Sequence, residues 1–394
     1  MEYGTVDLSR IQFAFTIGFH ILFPTLTIGL ASFLAVLEAR WLLSGKRRRI
    51  FMQIYDFWLK IFAMAFGMGV VTGVVLSYEI GTNFSRYAEM TGNVLGPLFS
   101  YEVLTAFFLE AGFLGIMLFG RRRVGARLHF FATLMVAVGT VISAFWILSA
   151  NSWMQTPAGY RLEGGRFLAE DWLRIVFNPS FPYRLMHMTL ASYLTSAFVV
   201  AAVSAWYLLR GRHEGFARHG FSMAMGLALL LAPAQIVAGD LHGLNTQEHQ
   251  PVKVAAMEAL WKTQARAPFV LFAIPDMEAE TNRWAVEIPA ASSLILKHDA
   301  DATVLGLDQA APEDRPYVPV VFFAFRIMVG IGFLFLLVAL WGALARRRGM
   351  LYRDRWLLRA TVLAGPLGFV AVLSGWVVTE VGRQPWVVQG LLRT

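Results

Sequence analysis

The chain has 394 residues, of which 57% are hydrophobic and 15% charged, and its mean hydropathy of +0.56 excludes an ordinary soluble protein. The absence of cysteine excludes disulfides, iron–sulfur clusters, covalent c-type haem attachment and thiolate metal sites. The net charge of +8 comes from short basic clusters between apolar stretches, which indicates anionic lipid headgroups and argues against a nucleic-acid partner.

Eight stretches of about 20 apolar residues predict transmembrane helices, because only an unbroken helix satisfies its own backbone hydrogen bonds in hydrocarbon. In chain order they are Phe13–Leu37, Phe57–Tyr78, Leu95–Phe119, Phe130–Ala150, Leu185–Leu209, Phe221–Ala238, Val318–Ala343 and Leu357–Thr379. The predicted fold class is an all-α integral membrane protein, a bundle of about eight transmembrane helices with one long extracytoplasmic loop.

Basic residues fall in alternate connections between the predicted spans. They lie at Arg40, at Lys46–Arg49, at Arg121–Arg127, at Arg210–Arg218 and at Arg346–Arg359. The positive-inside rule makes that side cytoplasmic, so both termini and the long loop are expected to face outward. The chain then divides into six spans (1–239), the loop (240–316) and two final spans (317–394).

The long loop has the pattern of a folded lid over the bundle. A short helix is predicted around Val252–Trp261, and the apolar run Phe269–Ile274 is followed by a predicted turn at Ile274–Asp276.

Potential metal ligands occur inside the spans, where an ionisable side chain is costly and marks a candidate functional site. At 1.5 Å of rise per residue we expect five of them to share one depth in the outer half of the membrane: His20, Glu102, His187, Met328 and Glu380. Haem iron takes His, Met or oxygen ligands from facing helices, so this coincidence favours haem. Glu110 lies about two turns deeper than Glu102 on nearly the same helix face.

Each of these residues also has a simpler interpretation. A buried histidine can be an interhelical hydrogen-bond partner, a methionine can fill the core, and a glutamate at a helix end can extend to water. Arg326 and Arg383 can either pair with haem propionates or extend to the surface. The other histidines are expected to be solvated, at span ends or in the loop: His129, His213, His219, His242, His249 and His298.

Several stretches resemble subunit I of the cytochrome bd quinol oxidases. They are Leu8–Phe13 ahead of His20, Gly81–Asn83, Phe107–Glu110, Trp146–Gln155, Phe323–Met328, and Gly382–Trp386 with Gly375, Trp376 and Glu380 before it. The resemblance covers nearly the whole chain, and its last motif is highly specific. The chain departs from the family in two ways. Its loop before the seventh span is short, and it lacks the further span that members usually add after Trp386.

The resemblance implies a haem-bearing, quinol-oxidising subunit of a terminal oxidase. His187 and Met328 would be the axial ligands of a low-spin haem b. The two remaining haems would be a high-spin haem b paired with a haem d, or with a third haem b in place of haem d. Their ligands would be His20, Glu102 and Glu380, and the resemblance does not say which of these side chains serves which haem.

The resemblance also assigns roles outside the iron ligands. Trp376 and Arg383 belong to its haem-binding motif, and Glu110, with Ser143 on the same route, would carry protons to the oxygen site. Lys253 and Glu258 match positions associated with quinol oxidation, where a carboxylate is suited to accept quinol protons at the outer face.

We therefore expect lipid quinol and oxygen as substrates and a membrane voltage generated without a proton pump. A second membrane subunit like subunit II is the expected partner, and a small single-helix subunit is a further candidate. Two alternatives stay open: a related haem protein that passes quinol electrons to another acceptor, and a proton-coupled transporter using Glu102, Glu110 and Glu380. A haem–copper oxidase is disfavoured, because copper needs several clustered histidines within the spans.

Overall fold

The computed structural model of the chain describes residues 4–44 and 48–394. Lys46 and Arg47, which belong to the first predicted basic connection, lie outside the described residues. Within the described ranges, eight helical segments are long and apolar enough to cross a membrane, as the sequence predicts.

The helices follow the predicted order, with three of the spans divided into two α-helices and with three short α-helices between spans. They are α1 (Thr5–His20), α2 (Leu22–Leu43), α3 (Arg48–Asn83), α4 (Ser85–Glu102), a π-helical turn (Val103–Phe107), α5 (Phe108–Phe119), α6 (Ala126–Gln155), α7 (Trp172–Val176), α8 (Phe181–Leu209), α9 (Glu214–His249), α10 (Pro251–Glu258), α11 (Ala291–Lys297), α12 (Val318–Arg347), α13 (Arg355–Ala364) and α14 (Leu367–Val381).

The helical core is formed around α2 and α8, whose inner faces are fully covered by neighbouring helices. Leu34 of α2, Trp58 of α3 and Phe198 of α8 are almost completely buried, and Phe198 stacks on Phe335 of α12 with 3.8 Å between ring centroids. Gly29 lets α2 approach α8 closely, because a Cβ there would come within 2.4 Å of the Ser196 hydroxyl oxygen. Such small-residue contacts are typical of helix packing in lipid.

The sixth membrane helix is longer than the sequence predicts. We expected the loop to begin at residue 240, but α9 runs on to His249, and the helix changes direction only at Gln250, which precedes Pro251. Hydropathy detects the part of a helix inside hydrocarbon, whereas a helix ends where its backbone is interrupted, as before a proline. His242 and His249 therefore lie in a helix and not in the loop.

Within the described residues, short two-stranded antiparallel sheets lie outside the membrane spans. They pair β1 (Tyr160–Glu163) with β2 (Arg166–Ala169), β3 (Gln264–Ala265) with β6 (Thr303–Val304), β4 (Phe269–Asp276) with β5 (Thr281–Ile288), and β7 (Trp386–Val388) with β8 (Leu392–Arg393).

The turn predicted at Ile274–Asp276 is wrong, because those residues still belong to β4. Pro275 is accommodated in this two-stranded hairpin opposite Asn282. The turn follows it, and the Asp276 carboxylate accepts hydrogen bonds from the backbone N–H groups of Glu278 (3.0 Å) and Ala279 (3.1 Å).

The loop folds back onto the end of the bundle from which it emerges. Val254 and Ala255 of α10 and Val270 of β4 form a second buried cluster with Val321 and Phe322 of α12. The predicted helix around Val252–Trp261 is present as α10. The loop is therefore packed against the seventh membrane helix.

One histidine prediction is wrong in a way that matters below. His129 is predicted to be solvated at a span end, but only 1% of its surface is exposed, and its Nδ1 lies 2.5 Å from the Glu38 carboxylate of α2. Burial of a polar ring requires such partners.

Candidate functional site

A cluster of buried charges lies where α6 ends, α8 begins and α14 ends. Arg184 of α8 donates a hydrogen bond to the side-chain oxygen of Asn151, and Asn151 Nδ2 donates to Glu380 Oε1 at 3.0 Å. Arg383, just beyond α14, donates to the other oxygen of Glu380. Arg184 and Arg383 are 9% and 5% exposed, and Lys253 joins the cluster from α10 at 5%.

This cluster contains more positive than negative charge. Within it, Glu380 is the carboxylate that faces Arg184, Arg383 and Lys253. Arg184 Nε, Arg383 Nε and Arg383 Nη1 are buried without a hydrogen-bond partner. Buried cationic donors without acceptors are unfavourable, so the cluster fits an anionic group carrying carboxylates, such as the propionates of haem.

Lys253 is held by a set of glutamines that the sequence did not single out. Its Nζ donates hydrogen bonds to Gln155 Oε1 (2.5 Å) and Gln250 Oε1 (2.9 Å), and Gln250 also bonds to Gln389 (2.9 Å). Burial lowers the pKa of Lys253 well below its usual range, and the nearby guanidinium groups of Arg184 and Arg383 lower that pKa further. Lys253 is therefore not a solvated surface lysine of an amphipathic helix.

Glu258 and Arg326 form a buried ion pair between the loop and α12. Arg326 Nη2 lies 2.9 Å from Glu258 Oε2, and its other nitrogens donate to the carbonyl oxygens of Val270 (2.8 Å) and Met257 (3.3 Å). Burial raises the pKa of Glu258, while the charge of Arg326 opposes that rise. The structure directs these Arg326 hydrogen bonds to the loop, although the sequence indicated haem propionates as one of two alternatives for them.

Each predicted ligand of the low-spin haem lies against a glycine. A Cβ at Gly239 of α9 would be 3.3 Å from His187 Cε1, and a Cβ at Gly375 of α14 would be 2.9 Å from Met328 Sδ. Gln235 Nε2 is 3.2 Å from His187 Nε2, and its side-chain oxygen is buried without a partner. The centroid of the His242 ring lies 5.5 Å from the centroid of the His187 ring. Trp376, the neighbour of Gly375, is half-buried.

His20 lies at the break between α1 and α2 and faces α3. Its Nδ1 is 2.8 Å from the Thr72 hydroxyl, and a Cβ at Gly73 would be 3.3 Å from its Cε1. One turn towards the start of α1, the Thr16 hydroxyl donates to Glu79 at 2.7 Å, and the second carboxylate oxygen of Glu79 is buried without a partner. Glu79 was missed because the predicted span ends one residue earlier, at Tyr78.

Glu102 and Glu110 both face α6. The Ser143 hydroxyl donates to Glu102 Oε1 at 2.7 Å, and a Cβ at Gly139 would be 2.5 Å from Glu110 Cγ. Eight residues in a regular α-helix would leave about 80° between the two carboxylates, and the wider π-turn at Val103–Phe107 reduces that angle. The prediction that both lie on nearly the same face is consistent with these contacts.

The predicted single depth of the five ligands is wrong. Asn151, which bonds Glu380, and Ser143, which bonds Glu102, are eight residues apart on α6, which corresponds to about 12 Å along its axis. The helices start at different distances outside the predicted spans, so counting from span ends misplaced the ligands. Among the described residues, no three His, Asp or Glu side chains converge on one metal position. That spread fits haem irons, which take one or two protein ligands each.

Comparison with known proteins decides the family. The family model for cytochrome bd terminal oxidase subunit I matches residues 8–394. The chain belongs to the cytochrome bd terminal oxidase subunit I family. It is 34% identical to the cytochrome bd-II ubiquinol oxidase subunit 1 of Escherichia coli (strain K12), over 100% of this chain and 89% of that protein. It is 35% identical to the cytochrome bd ubiquinol oxidase subunit 1 of Bacillus subtilis (strain 168), over 98% of this chain and 84% of that protein.

A solved structure supports the same assignment. The bd oxidase from Geobacillus thermodenitrificans superimposes with a TM-score of 0.91 at 31% identity, covering 99% of this chain and 90% of that one. The cytochrome bd subunit described here is therefore part of a quinol:oxygen oxidoreductase of the bacterial membrane. Its family implies haem cofactors and membrane partner subunits.

The sequence did not identify several polar residues of this site. Arg184 and Asn151 stand at the ends of predicted spans, where a charged or amide side chain is usually solvated. Gln155 and Gln250 lie at a helix end and at a helix start, where glutamine carries little information by itself. The signal for Arg184 was its position three residues before His187, which puts both near the start of α8.

Proposed function

We propose that this chain is the haem-carrying catalytic subunit of a terminal oxidase that oxidises membrane quinol at the extracytoplasmic face and reduces oxygen to water with cytoplasmic protons. The supporting observation is the buried excess of positive charge formed by Arg184 and Arg383 around Glu380. A cluster of this kind favours the carboxylates of a prosthetic group close to His187.

The proposal assigns a low-spin haem b to His187 and Met328, and a high-spin haem b and a haem d, or a third haem b, to His20, Glu102 and Glu380. Arg383 would bind propionates, and Trp376 would line the pocket beside Gly375. Bound haems would supply electron transfer from quinol and a site for oxygen. Glycine at 239 and 375 lets the backbones of α9 and α14 approach these two side chains, because a Cβ at either position would press against the proposed ligand.

The quinol end of the proposal rests on Lys253, Glu258 and Arg326. Glu258 is a buried carboxyl with a raised pKa, so it is suited to accept a proton from a quinol hydroxyl and release it outward. Arg326 orients that carboxyl through a 2.9 Å ion pair, and Lys253 orders α10 through its glutamine partners.

At the oxygen end, Glu102 and Glu110 would hold protons along α6. The Ser143 hydroxyl orients Glu102, and Glu110 contacts α6 at Gly139, which lies four residues before Ser143 in that helix. Protons drawn from the cytoplasm and released outside by quinol would generate a voltage without a pump. This assignment requires the N-terminus and the loop to lie outside the inner membrane, as the basic connections predict.

A second membrane subunit similar to subunit II is the proposed partner, and a small single-helix subunit is a further candidate. The outer surface of α4 and α5 offers a wide apolar face, with Leu104, Phe108 and Phe119 exposed. In the complex such a face lies against lipid or a partner helix.

The purified complex tests the proposal directly. We expect quinol-dependent oxygen consumption and a reduced-minus-oxidised spectrum with low-spin haem b. The His187→Ala variant should lose the low-spin signal, whereas His298→Ala, in the exposed loop, should keep it. A haem-free complex would favour a proton-coupled transporter, and a haem complex that oxidises quinol without consuming oxygen would favour another electron acceptor.

A further inference from the structure

A buried acid–base pair near one end of the bundle takes no part in the haem or quinol contacts. Glu38 of α2 is fully buried, and its Oε1 lies 2.5 Å from His129 Nδ1 of α6. The Thr133 hydroxyl donates to Glu38 Oε2 at 2.6 Å, and the Tyr55 hydroxyl is 3.0 Å from the same Thr133 oxygen. Side chains of α2, α3 and α6 thus form one continuous hydrogen-bonded network.

The network reaches towards the face that the basic connections mark as cytoplasmic. Tyr55 is followed by Asp56, whose carboxylate pairs with Arg121 in a half-exposed ion pair. The Arg121 guanidinium lies 5.9 Å from the centroid of the Tyr55 ring. His129 Nε2 contacts the carbonyl oxygen of Met117 at 3.1 Å, close to the end of α5. The buried network therefore ends next to charged groups that water reaches.

In the other direction, the network continues as a polar stripe along α6. His129, Thr133, Thr140 and Ser143 follow one another at spacings of four, seven and three residues, which places them on one face of a helix with 3.6 residues per turn. Ser143 at the top of the stripe bonds Glu102.

Glu110 lies beside this stripe, between the network and Glu102. It contacts α6 at Gly139, which is six residues, or about 9 Å, above Thr133 and four residues, or about 6 Å, below Ser143. From the start of α6 towards its end, the helix therefore passes the surface ion pair, then the buried Glu38 network, then Glu110 and finally Glu102.

A purely structural role explains the network poorly. Apolar side chains of similar volume would hold the three helices together at least as well, and an ionisable pair in a membrane span carries a desolvation cost. Hydroxyl, imidazole and carboxyl groups in a chain are the groups that pass protons.

We propose that the Glu38–His129 pair is the cytoplasmic entry relay that supplies protons to Glu110 for oxygen reduction. This inference rests on the proposed function. Each proton that leaves the pair for Glu110 is replaced by one from cytoplasmic water through Thr133 and Tyr55, so the pair ends a turnover as it began, and no electron moves in this step. Rotation of the two glutamates, with intervening water, spans the 9 Å interval.

The full complex in proteoliposomes tests the relay with Glu38→Gln, which keeps the shape of the side chain and removes its acidity. We expect oxygen consumption with quinol to fall by roughly tenfold or more, with proton uptake from the cytoplasmic side slowed in parallel. The haem spectrum and the rate of anaerobic haem reduction by quinol should not change, because quinol reacts at the opposite end of the bundle. Glu38→Asp should recover part of the turnover.

A matched pair of threonine variants separates the relay from helix packing. Thr133 and Thr361 are both fully buried, and both hydroxyls bond to the carbonyl four residues earlier in their helix, but Thr133 also donates to Glu38. Thr133→Val should slow turnover and proton uptake, whereas Thr361→Val should leave both unchanged.

The outcomes distinguish the inference from the function beneath it. If the wild-type complex does not reduce oxygen with quinol, the proposed function fails. If it does, and Glu38→Gln retains wild-type turnover and proton uptake, the relay alone is wrong. If Glu38→Gln does not assemble, equal turnover of Thr133→Val and Thr361→Val overturns the relay.

Discussion

The Arg326→Gln variant should release the long loop from the membrane helices. In the folded chain, the Arg326 guanidinium bonds Glu258 and the carbonyl oxygens of Val270 and Met257, and it lies 4.6 Å from the centroid of the Phe322 ring. Its side chain is 14% exposed and that of Glu258 is 7% exposed. Glutamine is too short to reach all three oxygens.

The expected size of the effect follows from burial. Removing one partner of a buried ion pair costs about 3 to 5 kcal/mol, because the other charge is left unpaired. Glu258 limits that cost by taking up a proton, since burial raises its pKa. We therefore expect the lower value, about 3 kcal/mol, which corresponds to roughly a hundredfold increase in the loop-opening equilibrium.

Amide hydrogen exchange in the purified complex measures this opening at residues 251–258 and 269–276. The matched control is Arg393→Gln, which breaks the half-exposed pair with Asp314 and should change exchange by about fivefold or less. If Arg326→Gln accelerates exchange in these segments no more than Arg393→Gln does, Arg326 does not hold the loop in place.

Three further outcomes follow from the same geometry. The pKa of Glu258 is raised in the folded chain, so the protonated form stabilises the folded loop. As the pH rises from the usual glutamate pKa of 4.5 through the raised value, protection of the loop against hydrogen exchange should fall in wild type relative to Glu258→Gln. The measurement is amide exchange corrected for the intrinsic exchange rate at each pH. Gly375→Ala should displace Met328 Sδ, which lies 2.9 Å from the new methyl position, and shift the low-spin haem absorption band. Lys253→Met should raise the KM for quinol, because Lys253 ties α10 to Gln155 of α6.

Each of these outcomes has a control in the chain. Gly330→Ala, on the same helix as Met328, adds a methyl group with nothing within 4 Å and should leave the haem spectrum unchanged. Equal spectra for the Gly375→Ala and Gly330→Ala complexes would contradict the assignment of Met328. Lys297→Met, in α11, is the surface control for Lys253→Met and should not change the KM. A pH-independent difference between wild type and Glu258→Gln would contradict a buried, titrating Glu258.

Buried ionisable groups at the margins of the predicted spans could not be recognised from the sequence. Glu38 and Glu79 each follow directly after a predicted span end, at Leu37 and Tyr78. Hydropathy ends a span at a charged residue, although the helix and the protein interior both continue past it. Both glutamates are in fact almost completely buried, at 0% and 3% exposure.

The eight membrane helices and the residue types that can hold haem are predictable from the sequence. Their signal is local: an apolar run must be long enough to cross hydrocarbon, and a His or Met within it stands out by cost alone. The tertiary structure decided which polar groups meet. The Glu258–Arg326 and Glu38–His129 pairs join residues 68 and 91 positions apart, and the levels of Glu102 and Glu380 depend on how far each helix extends past the membrane. Such contacts arise from helix packing, which no local pattern records.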